Sequence, residues 1–220
     1  MILVVAEQRG GVPVRATWEA VAAAQEIAGD EPIAVVVLGA DIAAAAADVA
    51  TAQVLDVLTL ADAALALYTP DAYVAALGQL IAELAPSLVL LPHTYQTRDF
   101  APTLAARLDC ALVTDVIGIK GRGADRAFVR PMFQGRLVAD VVPQGPGPHI
   151  ATLQVGAFRA DQVARGAAPA GVRAFPVAID PSRVRQRPEP PFREARQAVD
   201  LSQAERIVAV GRGIKGPEHL

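Results

Sequence analysis

Between residues 2 and 108, short apolar runs rich in β-branched residues alternate with longer amphipathic stretches, and this alternation constrains the fold more than any other feature. Ile2 to Ala6 is apolar at every position, the pattern of a strand covered on both faces. A helix is predicted over Thr17 to Ala28, where Val21, Ala24, Gln25 and Ala28 share a face and Gly29-Asp30 supplies the stop. Ile33 to Leu38 repeats the buried-strand pattern, and Asp41 is placed to cap an alanine-rich helix running to Ala50. Val54 to Leu60 reads as a third strand. Thr69-Pro70-Asp71 then opens a helix with proline in the first turn, where its missing N–H costs nothing. Tyr73, Leu77, Leu80, Ile81 and Leu84 recur along that helix at three- and four-residue steps. Ser87 to Leu91 is a fourth strand and Asp99 to Leu108 a fourth helix. Strands and helices in strict alternation specify a parallel sheet with helices on both faces.

After Leu112 the pattern changes. Leu112 to Ile119, Ala127 to Met132, Leu137 to Val142 and Ile150 to Val155 read as strands whose connections are too short for crossover helices, so antiparallel pairing is expected. Phe175 to Ile179 is a further strand candidate. The α/β domain is therefore expected to span residues 1–180. Residues 181–203 are rich in proline, arginine and glutamate and read as an extended linker. Within residues 204–220, Ile207-Val208-Ala209-Val210 reads as the first strand of a second α/β domain whose remainder lies outside this chain, because one buried strand makes no core. Protease is then expected to cut early beyond residue 180.

Charge and cysteine usage narrow the function. The formal net charge of −3 with scattered arginines argues against nucleic acid. No apolar run reaches the ~18 residues that a membrane span needs, and the N-terminus has no basic leader, so membrane insertion and secretion are not expected and a cytoplasmic setting is. The single cysteine, Cys110, precludes an intramolecular disulfide framework and most cysteine metal sites; no metal site is expected.

Two segments could carry binding chemistry. Pro92-His93-Thr94-Tyr95-Gln96-Thr97-Arg98-Asp99 lies at the C-terminal end of a strand and opens a helix, the edge where ligands bind in open α/β sheets. Its plainer reading is that Thr97 or Asp99 caps the helix and His93 is bonded locally. Gly211-Arg212-Gly213-Ile214-Lys215-Gly216 is a glycine turn that admits close backbone approach, with Arg212 offering a planar cation; it also reads simply as a loop. No glycine-rich dinucleotide or phosphate loop, no zinc-binding helix motif and no nucleophile elbow is present, and no catalytic residue is assigned.

Taken in order, Ile2 to Glu7, His93 to Leu108, Thr114-Asp115-Val116, Arg130 to Asp140 and Ala204 to Lys215 resemble the alpha subunit of electron transfer flavoproteins. The resemblance implies a Rossmann-like N-terminal domain related to adenine-nucleotide-hydrolase folds, with an added antiparallel β segment. It implies a heterodimer with a beta subunit that carries electrons through FAD. The donors would be dehydrogenases, such as those of fatty acid β-oxidation, and the acceptor a quinone oxidoreductase. This chain would supply the scaffold and docking half; it would act as a carrier subunit and not as an enzyme with its own substrate. By the same resemblance Arg212 lies against the flavin. The serine- and glycine-rich segments that grip most of the FAD in the family are expected after residue 220, so this chain alone should hold FAD weakly or not at all. An alternative reading is a nucleotide-binding or sensor domain that uses the Val5 to Gly11 and Pro92 to Asp99 edges.

Overall fold

The computed structural model describes residues 1–189 and 206–214, and the chain divides into two compact units, Met1–Pro188 and Glu189–Leu220. In the first unit the strands are β1 (Ile2–Ala6), β2 (Gln8–Arg9), β3 (Val12–Pro13), β4 (Ile33–Gly39), β5 (Asp56–Ala61), β6 (Leu88–Pro92), β7 (Leu112–Val116), β8 (Gly118–Lys120), β9 (Ala127–Met132), β10 (Leu137–Val141), β11 (His149–Leu153) and β12 (Gly171–Ala174). The helices are α1 (Arg15–Ala28), α2 (Ala43–Val49), α3 (Pro70–Leu84) and α4 (Tyr95–Arg107). Seven strands form a parallel sheet in the order β12-β5-β4-β1-β6-β11-β7. The fold is a Rossmann-like α/β domain.

The continuous apolar runs are explained by burial on both sides. Ile2, Val4 and Ala6 of β1 enter one core with α1 and α2, while Leu3 and Val5 enter a second core with α3 and α4. The same split recurs at Ile33, Val35 and Val37 against Ala34, Val36 and Leu38. Each fully buried aliphatic side chain contributes roughly 1.5–3 kcal/mol, so both faces must be filled for the strand to be stable.

The second half departs from the expected all-antiparallel pairing. Only β8, β9 and β10 form an antiparallel sheet, with Gly118 opposite Val129 and Leu137 opposite Met132. The expected strand Leu112 to Ile119 breaks into β7 and β8, which belong to different sheets. β11 instead inserts between β6 and β7 and pairs in parallel with both. A parallel connection needs a long crossover, and the antiparallel sheet itself supplies it in place of a helix. Its Phe128 and Val141 pack into the first core beside Val113, Val116 and Leu153.

Helix boundaries bring further corrections. Asp41 does not cap α2; the capping position is Ile42, which has no side-chain cap bond and is itself buried. Helix α4 starts at Tyr95, not Asp99, because the Thr94 hydroxyl accepts from the Thr97 amide at 3.2 Å and begins the helix a turn earlier. Pro102 therefore falls inside α4 rather than in its first turn. The strand expected at Phe175 to Ile179 is instead β12, Gly171–Ala174, paired with β5. That ladder ends with the Phe175 amide on the Thr59 carbonyl, at 3.0 Å.

Residues 181–188, part of the stretch read as linker, belong to the first unit; residues 190–205 lie outside the described residues. Ile207 to Val210 joins no ladder among the described residues, and Ile207, Val208 and Val210 are exposed. A β-branched run sets a preference for extended backbone, but a strand also needs a neighbour for its amides and carbonyls.

Candidate functional site

In the parallel sheet the chain leaves β1 for β4 on one side and returns through α3 to β6 on the other, so the switch point lies between β1 and β6. Ligands of open α/β sheets bind beyond the strand ends at such a point. Here the chain's own side chains occupy it. Glu7, only 6% exposed, accepts a 2.6 Å hydrogen bond from the Thr94 hydroxyl that caps α4. Its backbone is held by Thr17 of α1: the Glu7 amide donates to the Thr17 hydroxyl at 2.8 Å, and that hydroxyl donates to the Glu7 carbonyl at 2.7 Å.

On the other flank of β1, the Gln8 side-chain amide donates to the Leu38 carbonyl at the end of β4 and its oxygen accepts from Gly11. Gly39 follows with φ of 155°, where a Cβ would lie 2.5 Å from Ile42 Cγ2, so only glycine fits. A buried carboxylate thus lies at this strand edge, with the Arg9 guanidinium 3.6 Å from it. The two edges proposed from sequence as a nucleotide site are brought together, but they bond to each other.

A second polar group lies at the C-terminal ends of β6, β11 and β7. The pairing of β7 with β11 shifts register between Ala151 and Leu153, and Asp115 adopts φ of 60°. The Asp115 amide donates to the hydroxyl of buried Thr152 at 3.2 Å, and His93 Nδ1 lies 2.8 Å from the same hydroxyl. The Thr152 hydroxyl has a proton and a second lone pair left for His93 Nδ1, and His93 Nε2 lies 4.0 Å from Asp115 Oδ1. Burial lowers the His93 pKa; Asp115 opposes this, and Arg98 and Arg130 add to it. His93 is thus a locally bonded, neutral imidazole. Tyr95 beside it is exposed, with the Arg98 guanidinium 5.5 Å from its ring centroid.

Sequence reasoning singled out His93 but missed Glu7, Thr94, Thr152 and Asp115 as interacting groups. Their bonds join β1 to α4 and β7 to β11, and only the strand order makes them neighbours. A Thr94-to-Thr97 spacing at a strand end was the one local clue. Arg212 opens a short 3₁₀ turn, Arg212–Ile214, in which the Ile214 amide bonds the Gly211 carbonyl at 3.1 Å. Lys215 lies outside the described residues. Among the described residues no group of His, Cys, Asp and Glu could hold a metal ion, and no helix is long and apolar enough to cross a membrane.

The electron transfer flavoprotein domain matches residues 2–180. The chain belongs to the electron transfer flavoprotein family. It is 30% identical over 99% of its length to the electron transfer flavoprotein subunit alpha of Bacillus subtilis, and 32% identical over 97% to that of Syntrophomonas wolfei. It spans 66% of the length of each of these relatives. A 27% identical stretch covering 93% of the chain aligns with 49% of the LctC subunit of a lactate dehydrogenase (NAD(+),ferredoxin) from Acetobacterium woodii.

The fit of a flavin to the residues present divides along the chain. In the first unit of this electron transfer flavoprotein chain, the Glu7–Thr94 bond spans the switch point and no glycine-rich dinucleotide loop follows β1. At Gly211 and Gly213 no atom of the described residues lies within 4 Å of where a Cβ would stand.

Proposed function

We infer that this chain is the scaffold and docking part of an electron transfer flavoprotein alpha subunit, which pairs with a beta subunit and carries electrons from dehydrogenases to a respiratory quinone oxidoreductase. The observation that carries this reading is the family match over residues 2–180 on a sheet whose own ligand edge is closed by Glu7. A switch point spanned by its own Glu7–Thr94 bond suits a platform better than a sensor, which weighs against the nucleotide-binding alternative. A surface suited to a partner is present: Phe133, Leu137 and Val138 of the antiparallel sheet are exposed, and β10 is an edge strand.

FAD, held largely by segments beyond this chain and by the partner, supplies the redox chemistry when bound. Arg212 is the residue of this chain that would face it. A guanidinium there keeps its charge at any working pH and favours added negative charge on the ring. The setting is proposed to be the cytoplasm.

The test is size-exclusion chromatography with light scattering and a visible spectrum, on the chain alone and after mixing with a beta subunit and FAD. A colourless chain that forms a one-to-one complex is expected. Stoichiometric flavin on the chain alone, or no complex, overturns the reading.

A further inference from the structure

At the N-terminal edge of the parallel sheet, opposite the switch point, the crossover between β7 and β11 does not close flush against the strand ends. It leaves a cavity of about 560 Å³ beside Leu88, the first residue of β6, and His149, the first of β11. That size lies within the ~300–1,000 Å³ usual for small-ligand pockets. Its walls are mainly apolar, from Leu88 and from Phe128, Val142 and Pro143 of the crossover. Arg126, Glu31 and Ser87 make its charged end. Arg126 lies just before β9, two residues from buried Phe128, and its side chain is only 7% exposed. One terminal guanidinium nitrogen donates to Glu31 Oε1. The Arg126 Nε is buried and has no hydrogen-bond partner among the described residues. Glu31 is held away from it, because its other oxygen accepts from the Ser87 hydroxyl at 2.7 Å.

We propose that this cavity binds a small organic monocarboxylate with an apolar body, its carboxylate on Arg126 and its body against Leu88, Phe128 and Val142. Three properties of the site select that chemistry. A buried guanidinium with an unserved N–H has its desolvation uncompensated, and an anionic acceptor supplies the missing bond. The planar fork of a guanidinium matches the two oxygens of a carboxylate. Glu31 in the same wall repels a second negative charge, which favours a monoanion over phosphate. The apolar walls then reward a hydrocarbon body, whereas water alone would serve Nε and leave those walls solvated. The cavity lies at the opposite sheet edge from Glu7 and His93 and shares no residue with them, so its ligand is independent of the redox reading.

The experiment is a backbone-amide NMR titration of the full chain with phenylacetate, with phenylacetamide and inorganic phosphate as controls. Expected is a saturable shift of the Leu88, Gly123, Gly145 and His149 amides, with a Kd of about 1 mM or tighter. Phenylacetamide, which lacks the charge, and phosphate, which lacks the body, should each bind at least about tenfold more weakly. Arg126→Met should weaken phenylacetate by at least about tenfold, the loss of one charge-assisted bond. That change also strips Glu31 of its partner and puts folding at risk, so Val142→Trp is the second variant. Val142 is 49% exposed, and an indole there fills the cavity, so binding should vanish while the rest of the spectrum stays. No saturable shift up to ~10 mM phenylacetate means that the cavity holds water only, and overturns the proposal. Equal binding of either control, or undiminished binding by either variant, overturns it as well.

Discussion

The Thr94 hydroxyl makes two bonds that matter to this edge: it donates to Glu7 at 2.6 Å and accepts from the Thr97 amide at 3.2 Å. Replacing Thr94 by Val removes both bonds while keeping the shape. The cap is worth about 1 kcal/mol and the bond to a buried carboxylate about 1.5–3 kcal/mol, so a loss of roughly 2.5–4 kcal/mol is expected. Glu7→Gln keeps an acceptor but removes the charge, which leaves a neutral bond about half as strong and costs about 1 kcal/mol. In the double variant the glutamine has no hydroxyl to serve, so the second change should add almost nothing; the coupling energy is about 1 kcal/mol. Urea unfolding of the four proteins, with equal m-values, measures this cycle. Strict additivity would show that Glu7 and Thr94 do not close the switch point together, and the case against the nucleotide-binding alternative would lose its basis.

Phe100, 1% exposed, packs against Tyr73 and Tyr68 at centroid distances of 5.6 and 6.5 Å. Phe100→Ala should cost about 3–5 kcal/mol and lower Tm by about 6–20 °C; a shift below ~2 °C in a thermal melt would mean the ring is not part of a packed core. His93 should titrate below the ordinary histidine range in an NMR pH series, because burial disfavours its charged form. Its folded pKa is the lower one, so the unfolded chain takes up the proton first as pH falls. Stability should therefore drop below about pH 6.5 down to the native pKa, and His93→Gln should flatten that slope. A normal His93 midpoint would refute the burial argument.

The first half of the fold was readable because its signals are local. A run such as Ile2 to Ala6 or Ile33 to Gly39 can be stable only with apolar cover on both faces, and the helices between them carry the matching period. The second half was not, because local pattern sets strand preference and not strand partner. Leu112 to Val116 and Gly118 to Lys120 read as one strand, yet the first pairs with β11 and the second, after the Ile117 amide turns to the Val129 carbonyl, with β9. Ile207 to Val210 shows the same limit in reverse, an extended preference with no ladder among the described residues.

The amino-acid order by itself determined the layered α/β plan and the start of α3 at Thr69-Pro70, which follow from period and short-range capping, and the family resemblance, which follows from segments matched in order along the chain. Tertiary structure alone decided that β11 slips between β6 and β7, that Glu7 meets Thr94, and that Arg185 meets Asp71. Each of those contacts joins residues far apart along the chain. Their worth depends on burial and on which strand ends the topology brings together, and neither is written in any window of sequence.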